Sequence, residues 1–382
     1  MMVRKGERIE VNPQTFNWLL KTSGYTREEI GKKAKISLST LEAVSRGSGS
    51  LTWRQIRDLA RVLKRPTSTF FLPTSPRESP NPPDFRKVFT DVEEGKFSVE
   101  TLLSIRRARR LQDNARELME FLEVSVEPKI EHVSIKENPY KVAHRERERS
   151  GINIENQTRW RDSYDAFNKW RKYIESRGIL VFQMPMPVED ARGFSLTDEK
   201  PYVIVVSSKD SIEARIFTLL HEYSHILLGK HAICTPDERE IKRDNEKSKI
   251  EWWCNSFSSE FLLPLDYIRR KESIFSDIKE LDKIARKYKL SKSFVLTQIR
   301  KARLVSDTTY KSIFEELKQR GLAEKKEGWV TPDRKCVREK GDKYISSVIE
   351  ALHRDFISYD TALDYLGIKL KHLEKVEKLV IR

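Results

Sequence analysis

Cysteine, methionine and glycine are scarce in this chain, and long apolar runs are missing. Three cysteines, Cys234, Cys254 and Cys336, are scattered over 382 residues. An odd, dispersed set argues against a disulfide framework and for a reducing, cytoplasmic setting. The strongest apolar stretches, "GILVF" and "YVIVV", are far shorter than the roughly 20 residues a membrane helix needs, so no membrane association is expected. The opening MMVRKGERIE lacks the apolar segment of a secretory signal, and none is expected. Charge, by contrast, is plentiful. Lys and Arg number 73 against 58 Asp and Glu, a formal net charge of +15. Electrostatics alone then favours contact with nucleic acid, and Lys-rich solvated helix faces give the same balance. With 38% hydrophobic residues the chain can build real cores, and its length suggests two to four domains.

Four parts are expected. Residues 1–73 read as short helices ending at "STFFLP". The stretch "PTSPRESPNPPDF" (73–85) carries five prolines, each fixing φ and discouraging helix in the residue before it. It reads as an extended linker, and residues 74–155 as that linker with a connecting helix. The helix is "SVETLLSIRRARRLQDNARELMEFLE" (98–123), whose Arg106, Arg107, Arg109 and Arg110 form a solvated face or a phosphate contact. Residues 156–300 combine a helix ending at Gly178, three strand-like segments ("ILVFQMP", "RGFSLT", "YVIVVSS") and two motif-bearing helices. Residues 301–382 are helical and basic, interrupted by the turn-like "KKEGWVTPDRK". The expected class is α+β, mostly helical: an all-α N-terminal domain, a mixed central domain and a helical C-terminal region.

The chemistry concentrates in "TLLHEYSHILLGKH" (218–231), which holds HExxH. Asp210 and Glu213 are spaced as an N-cap and N3 pair, and nothing from Ser211 to Leu228 breaks a helix. His221 and His225 then stand one turn apart on one face and can share a tetrahedral Zn²⁺. Glu222 lies about 100° around the helix, suited to act as base on a water rather than as a ligand. Two histidines among Ile216, Leu219, Leu220, Ile226 and Leu227 also need polar partners. A catalytic zinc site requires a third ligand. His231 lies beyond Gly229 and reads as surface. The next helix, "IEWWCNSFSSEFLLP" (250–264), offers Glu251 and Glu260, about 180° apart. Glu251 shares its face with the small Cys254, Asn255 and Ser258, which permit close helix approach, so Glu251 is the expected ligand. Glu260, beside Trp253 and Phe257, reads as a snorkelling or salt-bridged surface group. Cys254 reads as packing.

The ordered series "GILVFQMP", "ARGFSL", "PYVIVVSS", "RIFTLLHEYSHILLG" and "EWWCNSFSSEFLLP" resembles the ImmA/IrrE family of zinc metallopeptidases over roughly residues 160–300. The resemblance implies a zincin-like domain with a strand edge beside the active-site helix. It also implies His221, His225 and Glu251 as metal ligands and Glu222 as catalytic base. An extended protein substrate is expected along an edge such as "YVIVVSS".

Upstream, "YTREEIGKKAKISLSTLEAVSRGSGSLTWRQIRDLARVLKRP" has helix-turn-helix form. Thr26 and Glu29 make a capping box, Ile30 and Ala34 face inward, and Ser37 caps a second helix whose Leu41 and Val44 are core contacts. Leu51 to Leu63 supplies a further amphipathic helix. The segment resembles the helix-turn-helix of phage-repressor-like regulators. In such domains Ser37, Leu38, Ser39 and Thr40 would face bases, with Arg46 and nearby lysines on phosphates. None of Ser37–Thr40 is a bidentate base reader, so a protein-interaction module of the same fold stays open. "IGKKAKISLSTL" (30–41) is echoed by "IARKYKLSKSFV" (284–295), expected to pack on the central domain rather than form a second DNA-binding unit.

The leading functional expectation is a cytoplasmic zinc metallopeptidase that cleaves a repressor-like protein. The alternatives are a DNA-binding regulator with a sensory or structural zinc site, and an antitoxin-like module that holds a partner on its basic surface.

Overall fold

The computed structural model describes residues 7–76, 78–84, 97–230, 232–234, 245–272, 278–320 and 330–381. It is α+β and mostly helical, as expected. Its contacts define two units: Met1–Asn81 with Lys96–Arg106, and Pro82–Gly95 with Arg107–Arg382.

In the first unit, β1 (Arg8–Ile9) is followed by α1 (Pro13–Lys21), α2 (Arg27–Ala34), α3 (Leu38–Ser45), β2 (Leu51–Thr52) and α4 (Trp53–Leu63). Each helix starts on a side-chain cap: Asn12, Thr26, Ser37 and Thr52. Thr26 and Glu29 close the capping box read from the sequence. The helix expected from Leu51 starts two residues later, because Leu51 and Thr52 pair with Ile9 and Arg8. Lys35 takes a left-handed conformation (φ +56°) between α2 and α3, turning the chain so that Ile30, Ala34, Leu41 and Val44 share one core with Phe16, Ile56 and Leu59. Gly24 (φ +81°) lies so near Leu102 that a Cβ would stand 2.7 Å from its Cδ1, which ties part of the connecting helix to this unit.

That helix is α5 (Val99–Phe121). Its arginines do not form a simple solvated face: in the second unit Arg107, Arg109 and Arg110 pair with Glu339, Asp198 and Asp364. The polar stretch after it folds as α6 (Pro139–Ser150) and α7 (Ile154–Thr158), and α8 (Ser163–Ser176) leads into the sheet. The three expected strands are β3 (Leu180–Met184), β4 (Gly193–Leu196) and β5 (Val203–Ser207). Then come α9 (Ile212–Leu227), β6 (Ile233–Cys234) and α10 (Glu246–Leu262). Helices α11 (Leu265–Lys271), α12 (Ile278–Tyr288), α13 (Lys292–Lys301), α14 (Asp307–Arg320), α15 (Pro332–His353), α16 (Tyr359–Leu366) and α17 (Leu373–Val380) complete the described chain.

The sheet order is β3-β5-β4-β6, with β3 parallel to β5 and the other pairs antiparallel. This corrects the substrate-edge expectation. The "YVIVVSS" strand is β5, hydrogen-bonded on both sides, and has no free backbone row to offer. The outer strands are β3 and β6. Beside β6, Ile233 N–H donates to Pro83 O (3.0 Å), so the end of the Pro-rich segment lies against that edge.

The sequence echo is real in backbone terms. Lys289 (φ +61°) and the Ser291 cap repeat the roles of Lys35 and Ser37. The surroundings differ. Phe294, Val295, Leu296 and Ile299 are buried in the core of the second unit, and the Phe294 ring lies 5.6 Å from that of Phe217. The second copy is therefore a packing element, as expected.

Candidate metal centre

Helix α9 carries HExxH and is buried over nearly its whole length. Its cap differs from the sequence reading. Ser211, not Asp210, accepts from Ala214 N–H, while Asp210 Oδ1 accepts from Ser211 N–H. A hydroxyl one residue on reaches the N3 amide with the same geometry, so the helix begins one residue later than expected. The sheet lies on one side of α9 and α10 on the other. Gly193 of β4 makes the close approach possible: a Cβ there would meet Thr218 Cγ2 at 2.6 Å and Glu222 Cγ at 3.1 Å.

His221, His225 and Glu251 are fully buried and converge. His221 Nε2 lies 3.1 Å from Glu251 Oε2, His225 Nε2 lies 3.1 Å from Glu251 Oε1, and the two Nε2 atoms are 3.1 Å apart. The structure thus brings together the three residues read as ligands, and the face of α10 holding Glu251 is the one turned to α9. Glu260 takes the opposite side. It pairs with His144 at 2.9 Å and accepts from Leu265 N–H, so the salt-bridge reading holds. Its surface placement does not: Glu260 is buried, because α6 covers that side of α10. Cys254 is a buried packing residue. His231 lies outside the described residues.

Three contributors were not singled out from sequence. Asn255 Oδ1 lies 2.9 Å from His221 Nδ1 and can accept its proton, which fixes the ring with Nε2 toward Glu251. Asn255 sits one turn beyond Glu251, so a scan for groups supporting a histidine would have found it. Gly193 stands in the quoted "ARGFSL" motif, but only packing reveals its role. Cys234 on β6 places its Sγ 3.5 Å from His225 Nε2 and 3.4 Å from Glu251 Oε1. It carried no sequence signal beyond being a cysteine nine residues after His225.

Electrostatics follow from burial and mutual charge. Burial pushes Glu251 up, but the charges and hydrogen bonds of His221 and His225 outweigh it and hold the carboxyl at about 2. Burial lowers His225, against the pull of Glu251. Glu222 is raised well above the usual carboxylate range, first by burial and then by the Glu251 charge. The Ser195 hydroxyl and the Cys234 thiol oppose that shift. Neither stands in good hydrogen-bond geometry, and both Glu222 oxygens are buried without a partner. Such atoms are costly unless something polar occupies the space before them. The Cys234 thiol is pushed well up by burial, then by Glu251 and Glu222.

Two imidazole nitrogens and two carboxylate oxygens crowded at 3.1 Å, with an orphaned carboxylate beside them, fit a divalent metal of zinc type. Zinc's preference for imidazole and carboxylate donors in tetrahedral array matches this set. The arrangement has the donor set of a metal centre. Residues 174–300, about a third of the chain, match the family model Peptidase_M78, described as the IrrE N-terminal-like domain. That segment runs from the end of α8 through α13 and contains every residue of the centre. No curated protein matches the chain.

The positions read as DNA-facing lie together at the start of α3. Ser37 Oγ is 2.7 Å from Thr40 Oγ1 and 3.0 Å from Ser39 Oγ, and Leu38 is exposed. Arg46 is the C-cap of the same helix. Among the described residues no helix is long and apolar enough to cross a membrane.

Proposed function

We propose that this chain is a zinc-dependent regulatory metallopeptidase fused to a helix-turn-helix module, with a repressor-like protein as substrate. The observation that carries the reading is the buried convergence of His221, His225 and Glu251 beside the unpartnered Glu222. Zinc, when bound, supplies Lewis-acid polarisation of a peptide carbonyl and of water. His221 and His225 would present their Nε2 atoms to the metal, and Asn255 keeps the His221 ring in place. Glu222 takes the proton of the attacking water at a carboxylate oxygen and passes it to the leaving amine. A purely structural metal site has no use for a buried carboxylate without partners, which favours catalysis.

A second reading has its own support. Cys234 lies close enough to be a fourth donor, and four protein ligands are the mark of a structural or sensory zinc site. On that reading the chain is a DNA-binding regulator or antitoxin-like protein whose metal senses or stabilises. One experiment separates the two: metal content and peptide cleavage measured together on wild type and Glu222→Gln. Catalysis predicts about one zinc per chain in both proteins and cleavage only in wild type. Absence of zinc in wild type, or undiminished cleavage by Glu222→Gln, would reject the peptidase reading.

The exposed α3 start and the net positive charge support DNA contact through the first unit, with Ser37, Leu38, Ser39 and Thr40 nearest the bases and Arg46 on phosphate. Binding the same DNA as a repressor, or pairing with it, would raise its effective concentration at the peptidase site.

A further inference from the structure

Cys234 has no role in the mechanism above, yet it is one of four side chains whose donor atoms all lie within 4.8 Å of one another. The distances can be compared with coordination geometry. With zinc–nitrogen bonds of about 2.05 Å and zinc–sulfur bonds of about 2.3 Å, a tetrahedron has edges of about 3.3 Å between nitrogen or oxygen donors and about 3.5 Å between nitrogen and sulfur. Among His221, His225 and Glu251 the contacts are 3.1 Å, with His221 on Glu251 Oε2 and His225 on Glu251 Oε1. Those from Cys234 Sγ are 3.5 Å to His225 Nε2 and 3.4 Å to Glu251 Oε1. The sulfur therefore stands at coordination-edge distance from two of the three donors, and within 4.8 Å of the whole set.

The backbone places it there firmly. Cys234 pairs with Gly193 in the β4–β6 ladder, and its carbonyl accepts from Arg192 N–H. Its neighbour Ile233 is tied on the other side to Pro83 O. Glu222 is fully buried beside the same cluster, its oxygens have no partner, and the thiol is among the polar groups facing it, so the sulfur also lies next to the group that would act as base.

We propose that Cys234 is a fourth protein ligand that closes the metal centre, so that the peptidase is slow while the thiolate is bound and fast once it withdraws. This rests on the metal-binding reading above. It also reconciles that reading with its rival: one chain has a closed, structural-type site with the thiolate bound and a catalytic one without it. Strand β6 is the outer strand of the sheet, so withdrawal of Cys234 needs only that two-residue ladder to shift, not the central strands.

The test uses the full-length protein loaded with Co²⁺ in place of zinc, read by absorption. Thiolate ligation gives a sulfur-to-cobalt charge-transfer band in the near ultraviolet, in addition to the visible bands of tetrahedral cobalt. The band should be present in wild type and in Cys254→Ser and Cys336→Ser, and lost in Cys234→Ser and Cys234→Ala. Both Cys234 variants should still bind cobalt, with affinity lower by about 10-fold or more. Thermal melts of the two variants, with and without metal, show that they fold. On an unstructured peptide, zinc-loaded Cys234→Ala should cleave several-fold faster than wild type. Cobalt bound by wild type without the charge-transfer band would overturn the proposal and leave the metal site standing. A band that persists in Cys234→Ala would overturn it in favour of another thiol. No cobalt bound by wild type would overturn the metal-site reading itself, and this proposal with it. Cleavage by Cys234→Ala no faster than wild type, with the band present in wild type, would overturn the slowing by the bound thiolate.

Discussion

Asn255 and Gly193 illustrate how single side chains shape the centre without touching a metal. Asn255 holds the His221 ring through Nδ1, and partners of this kind are typically worth about 10–100-fold in metal affinity. Asn255→Ala should weaken zinc binding to that extent, measured by competition with a chelator, while Ser258→Ala should not. Gly193 has no room for a methyl group against Thr218, Glu222 and Val205 O. Gly193→Ala should cost about 1–3 kcal/mol of stability, because α9 must move away from the sheet. It should also weaken the metal site, since the same shift separates His221 and His225 from Glu251. Between the two candidate carboxylates the expectation is asymmetric: Glu251→Ala should abolish zinc binding, and Glu260→Ala should retain it while lowering the melting temperature. Retention of metal by Glu251→Ala would refute the ligand set.

At the scale of elements, the joint between α8, β3 and α15 is the most demanding. Arg171 of α8 pairs with Glu175 at 3.0 Å, donates to Arg338 O and bonds Val181 O. Gln183 also donates to Arg338 O, and Lys343 to Glu175 O. Helix α15 bends at Gly341 (φ +77°) so that its backbone can come this close; a Cβ would lie 2.3 Å from Arg171 Nη2. Gly341→Ala should therefore lose about 2 kcal/mol or more, through both the left-handed backbone and the crowding of a buried ion pair. Burial raises Glu175 to about 7 from an ordinary 4.5, Arg171 only partly opposing it. The sign is set by proton uptake: between about 4.5 and 7 the folded state holds this proton and the unfolded chain does not. This group's contribution is thus fully present below pH 4.5, declines as pH rises, and is lost above about 7. The loss is on the order of 3 kcal/mol. Chemical denaturation across that range should show Glu175→Gln with a shallower decline than wild type; parallel curves would place the titration elsewhere.

For the whole molecule, the reading with most at stake is that the first unit delivers the peptidase to its substrate. DNA binding, measured by fluorescence anisotropy, should weaken steeply with salt, since Lys and Arg contacts to phosphate release counterions. Arg46→Ala should reduce the salt slope, while changes at Ser37 or Thr40 should alter sequence preference instead. Removing residues 1–73 should slow cleavage of a repressor-like protein far more than cleavage of an unstructured peptide. Equal slowing of both would reject targeting and point to a structural contribution of the deleted residues.

Much of this was written locally in the chain. HExxH on an unbroken apolar helix, the face of α10 holding Glu251 with small residues, the three strands, and the Thr26–Glu29 and Ser37 caps all depend on neighbours within a turn or two. Periodicity and side-chain chemistry are sufficient to read them. What the tertiary structure decided involves separations no local pattern spans. Strand β5 is central rather than an edge, because β3 and β4 claim both its hydrogen-bonding sides. Glu260 is buried because α6, more than a hundred residues earlier, covers it. Two strings that echo one another only in pattern diverge in role, because Phe294 is buried in a core while its counterpart Thr40 stays partly exposed. Cys234 reaches the histidines only through a two-residue strand, too short to have a period. Its sulfur arrives by ladder pairing with Gly193, a contact that exists only once the sheet has formed.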